Sequence, residues 1–323
     1  MTDGADWRPR ASRDNLRRRA ALLSRTRGFF AQRAVLEVET PIAVAHAVTD
    51  PHLAAASATL PGRGGALYLQ TSPEFAMKRL LAAGSGDIYQ LCHVFRGDER
   101  GRLHAPEFTL LEWYRCGWTM RRLIDEVDAL LRALLPAPLP PATLHSYRDV
   151  LLEHAGCDAL EDSDAALARR AAELGFDAAL LPALDRDGLL DLLMAAHVGP
   201  RLGLDGPCFV HGYPASQAAL ARLDPGDPRV ALRFELYLDG VELANGFEEL
   251  GDAAEQRTRF AADQAVRAAR GQSVPAMDER LLAALAAGLP ACSGVALGFD
   301  RLVMRACGAR DIAEVLSFLP GEA

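Results

Sequence analysis

Apolar positions along this chain repeat with two periods, and the changes from one to the other mark its elements. Across residues 14 to 33, DNLRRRAALLSRTRGFFAQR, the positions Leu16, Ala20, Leu23, Arg27 and Phe30 recur at helical intervals behind an Asp/Asn start. That spacing predicts a helix whose arginines form a solvated face. VLEVETPIAV follows as a strand interrupted at Pro41, which suits a sheet edge or an interface because proline donates no ladder hydrogen bond. Residues 45 to 66 hold alanine, glycine and proline and read as loop with short strands. SPEFAMKRLLAAG reads as a helix with Ser72 at the N-cap, Pro73 at the first helical position and Gly84 at its close.

IYQLCHVFR and EFTLLEWYR read as two strands, joined by a ten-residue loop that contains Gly97, Gly101 and Pro106. The prolines of LLPAPLPPATL, residues 134 to 144, mark a linker. From about 145 to 206 leucine and alanine alternate with acids at helical spacing, broken by Gly156, Gly175 and Gly188, which predicts a small helical insertion. Strands return at CFVHGYP and VALRFELYLDGVELANGF, and a long Ala/Arg helix, about 252 to 270, precedes the closing CSGVALGFDRLVMRA. Strand pairs joined by turns, with helices in blocks, predict an α+β fold with a mostly antiparallel sheet. Residues 1 to 323 form one unit around that insertion.

Three segments depart from what a dry core needs. Alternation in EFTLLEWYR puts Phe108, Leu110, Glu112 and Tyr114 on one face, and a carboxylate buried there without a partner is expensive. The face suits a ligand: an aromatic to stack a planar ring, an acid to take an amine, and Arg96 to clamp an anion. In RFELYLDGVELANGFEEL, Asp239-Gly240 signals a two-residue hairpin. That turn pairs 238 with 241, 237 with 242 and 235 with 244, so Glu235 and Glu242 are diagonal neighbours about 7 Å apart. Two such carboxylates call for a cation between them, and Mg²⁺ shared with substrate phosphates fits. Asn245, Phe247 and Glu249 add an amide, an aromatic and an acid nearby, and the excess of acids suits a cationic substrate. In CSGVALGFDRLVMRA a strand ends at Gly298 and a helix opens near Asp300, with Arg301 in its first turn, an arrangement that favours anions.

Composition narrows the classes. The formal net charge of -8 argues against a nucleic-acid binder that works by blanket phosphate neutralisation, though Arg-rich spots could still bind phosphates. The six cysteines show no C-x-x-C pair and read as thiols of a reducing compartment. The polar, acidic start is no secretory signal, and no apolar run approaches the roughly 18 residues of a membrane span, so a cytoplasmic protein is expected. Lys78 is the only lysine; with so much alanine and arginine it reads as composition bias rather than chemistry.

FRGDERGRLHAPEFTLLEWYR resembles the second motif of class II aminoacyl-tRNA synthetases of the lysyl branch, GVALGFDRL the third, and FFAQRAVLEVETP the first, which forms the dimer interface. The likeness runs from about residue 14 to 318. The core begins almost at once, without the anticodon-binding domain of lysyl-tRNA synthetases, and YPASQAALA and ELANGFEEL look like the short paralogues of that branch. Those paralogues attach a lysine-type amino acid, (R)-β-lysine, to a lysine side chain of elongation factor P.

The resemblance implies ATP and Mg²⁺ as co-substrate and cofactor, a homodimer, and a six- to seven-stranded antiparallel sheet flanked by helices. It implies catalytic roles for Arg96 at the α-phosphate and for Arg301 at the γ-phosphate beside Gly298, with Phe108 stacked on adenine. Asp98 would lie near the adenine or ribose, His104 would contact phosphate, and Leu243 would lend its backbone to ATP. Glu235 and Glu242 would bind Mg²⁺. Ser72, Pro73 and Glu74 would line the amino-acid pocket with Glu112, Tyr114, Asn245, Phe247 and Glu249.

Three positions depart from the family. Arg96-Gly97-Asp98 replaces Arg-Asn-Glu, His104-Ala105 replaces His-Asn, and Glu248 stands where histidine or serine is common. Gly97 and Ala105 lose side-chain contacts to ATP; Arg96 and Phe108 are kept. Two rivals remain: a truncated lysyl-tRNA synthetase that charges tRNA, the less favoured acceptor, and an inactive synthetase-like regulatory module.

Overall fold

The structure is a computed structural model and describes residues 7–62, 65–97, 99–136 and 138–322. Helix α1 (Arg13–Ala31) is capped by Ser12, whose hydroxyl accepts the Asn15 N–H at 3.1 Å, just ahead of the predicted Asp/Asn start. Pro41 then separates β1 (Leu36–Glu37) from β2 (Ala43–Val44), and the two strands enter different sheets. β2 pairs with β4 (Leu67–Leu69), which pairs with β3 (Ser57–Ala58). Helix α2 (Glu74–Ala82) begins one residue later than expected, with Pro73 at the N-cap. Ser72 still accepts the Glu74 N–H at 3.1 Å, and Gly84 ends the segment at a φ of 86°, a conformation that favours glycine.

Strands β5 (Ile88–Phe95) and β6 (Glu107–Cys116) form the predicted hairpin, followed by α3 (Met120–Leu134). A strand, β7 (Thr143–Ser146), stands where the end of the linker and the start of the helical insertion were expected. Helices α4 (Tyr147–Val150), α5 (Asp164–Glu173) and α6 (Arg186–Leu193) follow before β8 (Cys208–Pro214). β7 and β8 run parallel, and a parallel pair needs a crossover of a dozen residues or more; the insertion is that crossover. β9 (Val230–Leu238), β10 (Val241–Glu248), α7 (Ala253–Ala269), α8 (Glu279–Gly288), β11 (Cys292–Gly298) and α9 (Phe299–Cys307) complete the fold.

Among the described residues the large sheet has eight strands in the order β1-β5-β6-β11-β10-β9-β8-β7. The six inner strands are antiparallel, as expected, and the two edge pairs, β1–β5 and β7–β8, are parallel. One face carries the main core: Phe30 of α1, Leu123 and Val127 of α3 and Leu302 of α9 close over Leu111, Trp113 and Leu297. The insertion packs a second core against Val210 and Tyr213 of β8. Covering helices on the other face leave room for a cavity. Among the described residues no helix is long and apolar enough to cross a membrane. All six cysteines are free thiols.

Candidate active site

Alternation on β6 decides which side chains see the cavity. Leu111 and Trp113 turn into the core and are fully buried, so Phe108, Leu110, Glu112 and Tyr114 face the other way. They line a cavity of about 660 Å³. Ser72 and Glu74 enter it from the start of α2 and the residues just before it, Asn245 and Phe247 from β10, Glu249 just beyond β10, and Gln256 and Phe260 from α7.

The β9–β10 hairpin brings a correction. Its turn is as expected, with Asp239 and Gly240 both at positive φ, and 238 pairs with 241 and 237 with 242. Between Glu242 and Ala244 the register shifts, so Glu235 pairs with Asn245 and not with residue 244. The extra residue, Leu243, is a β-bulge. It has a consequence for the site. In an unbroken strand Glu242 and Asn245 would lie on opposite faces; the bulge turns Glu242, Asn245, Phe247 and Glu249 to the same cavity.

One end of the cavity is floored by acids. Glu112 accepts a hydrogen bond from the Ser72 hydroxyl at 2.6 Å and from the Tyr114 hydroxyl at 2.7 Å. Burial, then the neighbouring Glu74, pushes its pKa up to about 8 despite those bonds. Glu249 is pushed up to about 7, by burial first, with Lys78 opposing. Lys78 is not the bystander that composition suggested. It is 1% exposed and lies 2.8 Å from Glu74 and 2.6 Å from Glu249. Pro73, at the N-cap of α2, does not line the cavity, contrary to expectation.

Arginines and an aromatic make the other end. Arg96 stacks over Phe108 at 5.1 Å, donates to the Thr71 carbonyl and pairs with Glu99 at 3.1 Å. Arg301 donates to the Glu242 carbonyl at 2.8 Å and meets the His104 ring at 2.6 Å. Burial and then Arg301 lower the pKa of His104, so the imidazole is neutral against the guanidinium. Ala105, Leu243 and Gly298 also line this end. Gly298 caps α9, so the helix N-terminus faces the cavity. Gly97 sits to the side, its N–H on the Ala54 carbonyl at 2.9 Å. Asp98 lies outside the described residues.

A single cavity therefore joins an acid-floored end to an end built of arginines, an aromatic and a helix N-terminus. The family described as tRNA synthetases class II (D, K and N) matches residues 4–320. The chain belongs to this class II synthetase family. Its relatives include an elongation factor P–(R)-β-lysine ligase from Salmonella typhi, 50% identical over 322 residues that make up 98% of each chain. Proteins of the same name from Vibrio cholerae serotype O1, covering 97% of this chain and 98% of the relative, and from Erwinia tasmaniensis, covering 98% of each, are both 51% identical.

The class II framework also depends on side chains that the sequence reading did not single out. Asp300 pairs with Arg19 of α1 and accepts the Thr109 N–H at 2.8 Å, tying α1 to the second and third motif segments behind Arg301. Arg233 donates to Asn245 at 3.2 Å and to Glu235 at 2.5 Å. It precedes Glu235 by two residues, so strand alternation could have found it. The third family departure, Glu248, points elsewhere: it accepts the Met120 N–H at 3.0 Å and pairs with Arg222.

The two proposed metal carboxylates differ. Glu235 does not line the cavity, and both its oxygens are engaged, by Arg233 and by the Tyr237 hydroxyl at 2.6 Å. Glu242 lines the cavity, and burial and then the charge of Glu235 push its pKa up to about 7. A hard cation beside Glu242 would relieve that strain. Oxygen donors, with phosphates completing the shell, fit Mg²⁺. Among the described residues no cluster of three or more His, Cys, Asp or Glu makes a protein-only cage.

Proposed function

We propose that the chain is an ATP-dependent ligase that activates a lysine-type amino acid, (R)-β-lysine, as an adenylate and joins it to a lysine side chain of elongation factor P. The carrying observation is the continuity of the cavity from its acid floor to its arginines, which supports a reading in which an amine-bearing substrate would meet ATP phosphates there. The names of the half-identical relatives support the choice of substrate and acceptor.

In the first step a carboxylate oxygen of the amino acid attacks the α-phosphorus, and pyrophosphate leaves. In the second an acceptor amine attacks the carbonyl carbon, and the C–O bond of the mixed anhydride breaks. AMP leaves with the bridging oxygen, and the new amide nitrogen releases a proton to solvent. Neither step needs a side-chain nucleophile. Arg96 would hold the α-phosphate and Arg301 the terminal phosphate, stabilising charge that grows in the transition state. Phe108 would stack on adenine. Glu112, Tyr114 and Glu249 would orient the substrate amines, with Ser72 fixing Glu112, so that the carboxylate meets phosphorus in line. Glu242, with Glu235 behind it, would hold Mg²⁺, which supplies Lewis-acid charge neutralisation of the phosphates. The working unit would be a homodimer through residues 14 to 45, where Leu36 and Ile42 are exposed.

The test is ATP–pyrophosphate exchange with a panel of lysine isomers. Exchange dependent on (R)-β-lysine is expected. No exchange with any isomer would favour the inactive regulatory module.

A further inference from the structure

Lys78 poses a problem of charge. A pocket for a cationic substrate gains nothing directly from a fixed cation, yet the only lysine of the chain is buried beneath this one. It reaches the floor from α2 and contacts both Glu74, on its own helix, and Glu249, at the end of β10. Burial works against the ammonium, but Glu249 and Glu74 outweigh it and raise the lysine pKa. Lys78 is therefore charged throughout the working range.

We propose that Lys78 is a positioning residue for substrate recognition: clamped between Glu74 and Glu249, its ammonium favours the ionised form of Glu249 and aims it so that the carboxylate can take an ammonium of the substrate. The inference rests on the acid-floored end accepting a lysine-type substrate. Three acids, Glu74, Glu112 and Glu249, share the floor with one ammonium. Buried carboxylates crowded together hold protons, and a neutral carboxyl is a poor partner for an ammonium. The groups facing Glu249 are Glu74 and Lys78 from α2, Glu112 and Tyr114 from β6, and Cys292 from β11. Of these, only Lys78 is a cation. It offsets part of the repulsion and still leaves the floor net acidic. Contact on one side also fixes the carboxylate: Lys78 takes Oε2, and Oε1 lies against Gly294, where an added Cβ would approach it to 2.6 Å. A merely structural role, fastening α2 to β10, would give the same ion pairs but no link between Lys78 and substrate affinity.

The experiment compares full-length wild type with K78M, K78Q and K78R. Carboxyl carbon NMR follows the titration of Glu249, assigned by its disappearance in E249Q. Exchange kinetics give the amino-acid KM and kcat against pH. K78M should move the Glu249 titration upward by about one unit or more and raise the amino-acid KM about tenfold near neutral pH. That rise should shrink as pH increases, with kcat at saturation little changed, and K78R should restore most of the affinity. Should K78M fail to fold, K78Q carries the same expectation. An unmoved Glu249 titration, or an unchanged KM profile beside a lowered melting temperature, would overturn the proposal and leave Lys78 a structural clamp. Lack of exchange by wild type with every lysine isomer would instead overturn the functional reading, while the carboxyl titration would still decide what Lys78 does to Glu249.

Discussion

Under the proposed function, side chains at the two ends of the cavity would carry different parts of the reaction and should fail differently. In the proposed reaction Phe108 would offer a surface for adenine in ground and transition states alike, so Phe108→Ala should raise the ATP KM with kcat nearly kept. Arg96, placed at the α-phosphate, would meet charge that grows during the reaction, so Arg96→Ala should lower kcat as well, by about a hundredfold or more. Steady-state exchange kinetics separate the two; an Arg96→Ala effect confined to ATP affinity would remove its catalytic role. Glu242→Gln should abolish exchange while circular dichroism and melting stay near wild type, since a buried carboxyl pushed up to about 7 loses little on becoming an amide. The acid floor gives a pH signature. Glu249 and Glu112 are raised to about 7 and about 8, so both are largely protonated below those values and ionise as pH climbs through them. A cationic substrate needs the ionised forms. The wild-type amino-acid KM should therefore fall from roughly pH 6 to pH 8, before the substrate amines lose their own protons. A KM that rises over that window would contradict it.

At the scale of elements, the period-two pattern on β6 was enough to place Phe108, Glu112 and Tyr114 together, because alternation is a local property of a strand. The Asp239-Gly240 turn fixed the first two hairpin pairs in the same way, but a bulge beyond the turn leaves no mark in a two-residue signal, and the pairing of Glu235 was misjudged by one. Helix α3 repeats Leu123, Val127, Leu130 and Leu134 at legible spacing, yet the pattern reading passed over it. β7 lay hidden because its partner β8 is far along the chain, beyond the insertion. Lys78 was unreadable for the same reason: its meaning comes from Glu249, a neighbour only after folding. The close packing of β11 on β6 gives an element-scale test. A Cβ on Gly294 would collide with the Tyr114 ring and lie 2.6 Å from Glu249. Gly294→Ala should cost about 1–3 kcal/mol of stability and sharply weaken amino-acid binding, leaving ATP affinity largely intact. Melting curves and separate KM values for the two substrates would check it.

For the molecule as a whole, assembly and acceptor choice are the open consequences. The α1–β1–β2 segment leaves Leu36 56% and Ile42 42% exposed, and exposed apolar side chains beside an edge strand suit a second copy. Light scattering should give a dimer mass, and Ile42→Arg should shift it toward monomer and reduce exchange; a fully active wild-type monomer would contradict that assembly. The class II family membership fixes the chemistry of activation, while the acceptor is what separates a protein-modifying ligase from one that charges tRNA. Competition decides it most directly: purified protein, ATP and (R)-β-lysine are incubated with elongation factor P and tRNA together, and both acceptors are followed by mass spectrometry. The factor should gain one β-lysyl group on a lysine side chain while tRNA stays uncharged. Charged tRNA beside an unmodified factor would contradict the assignment.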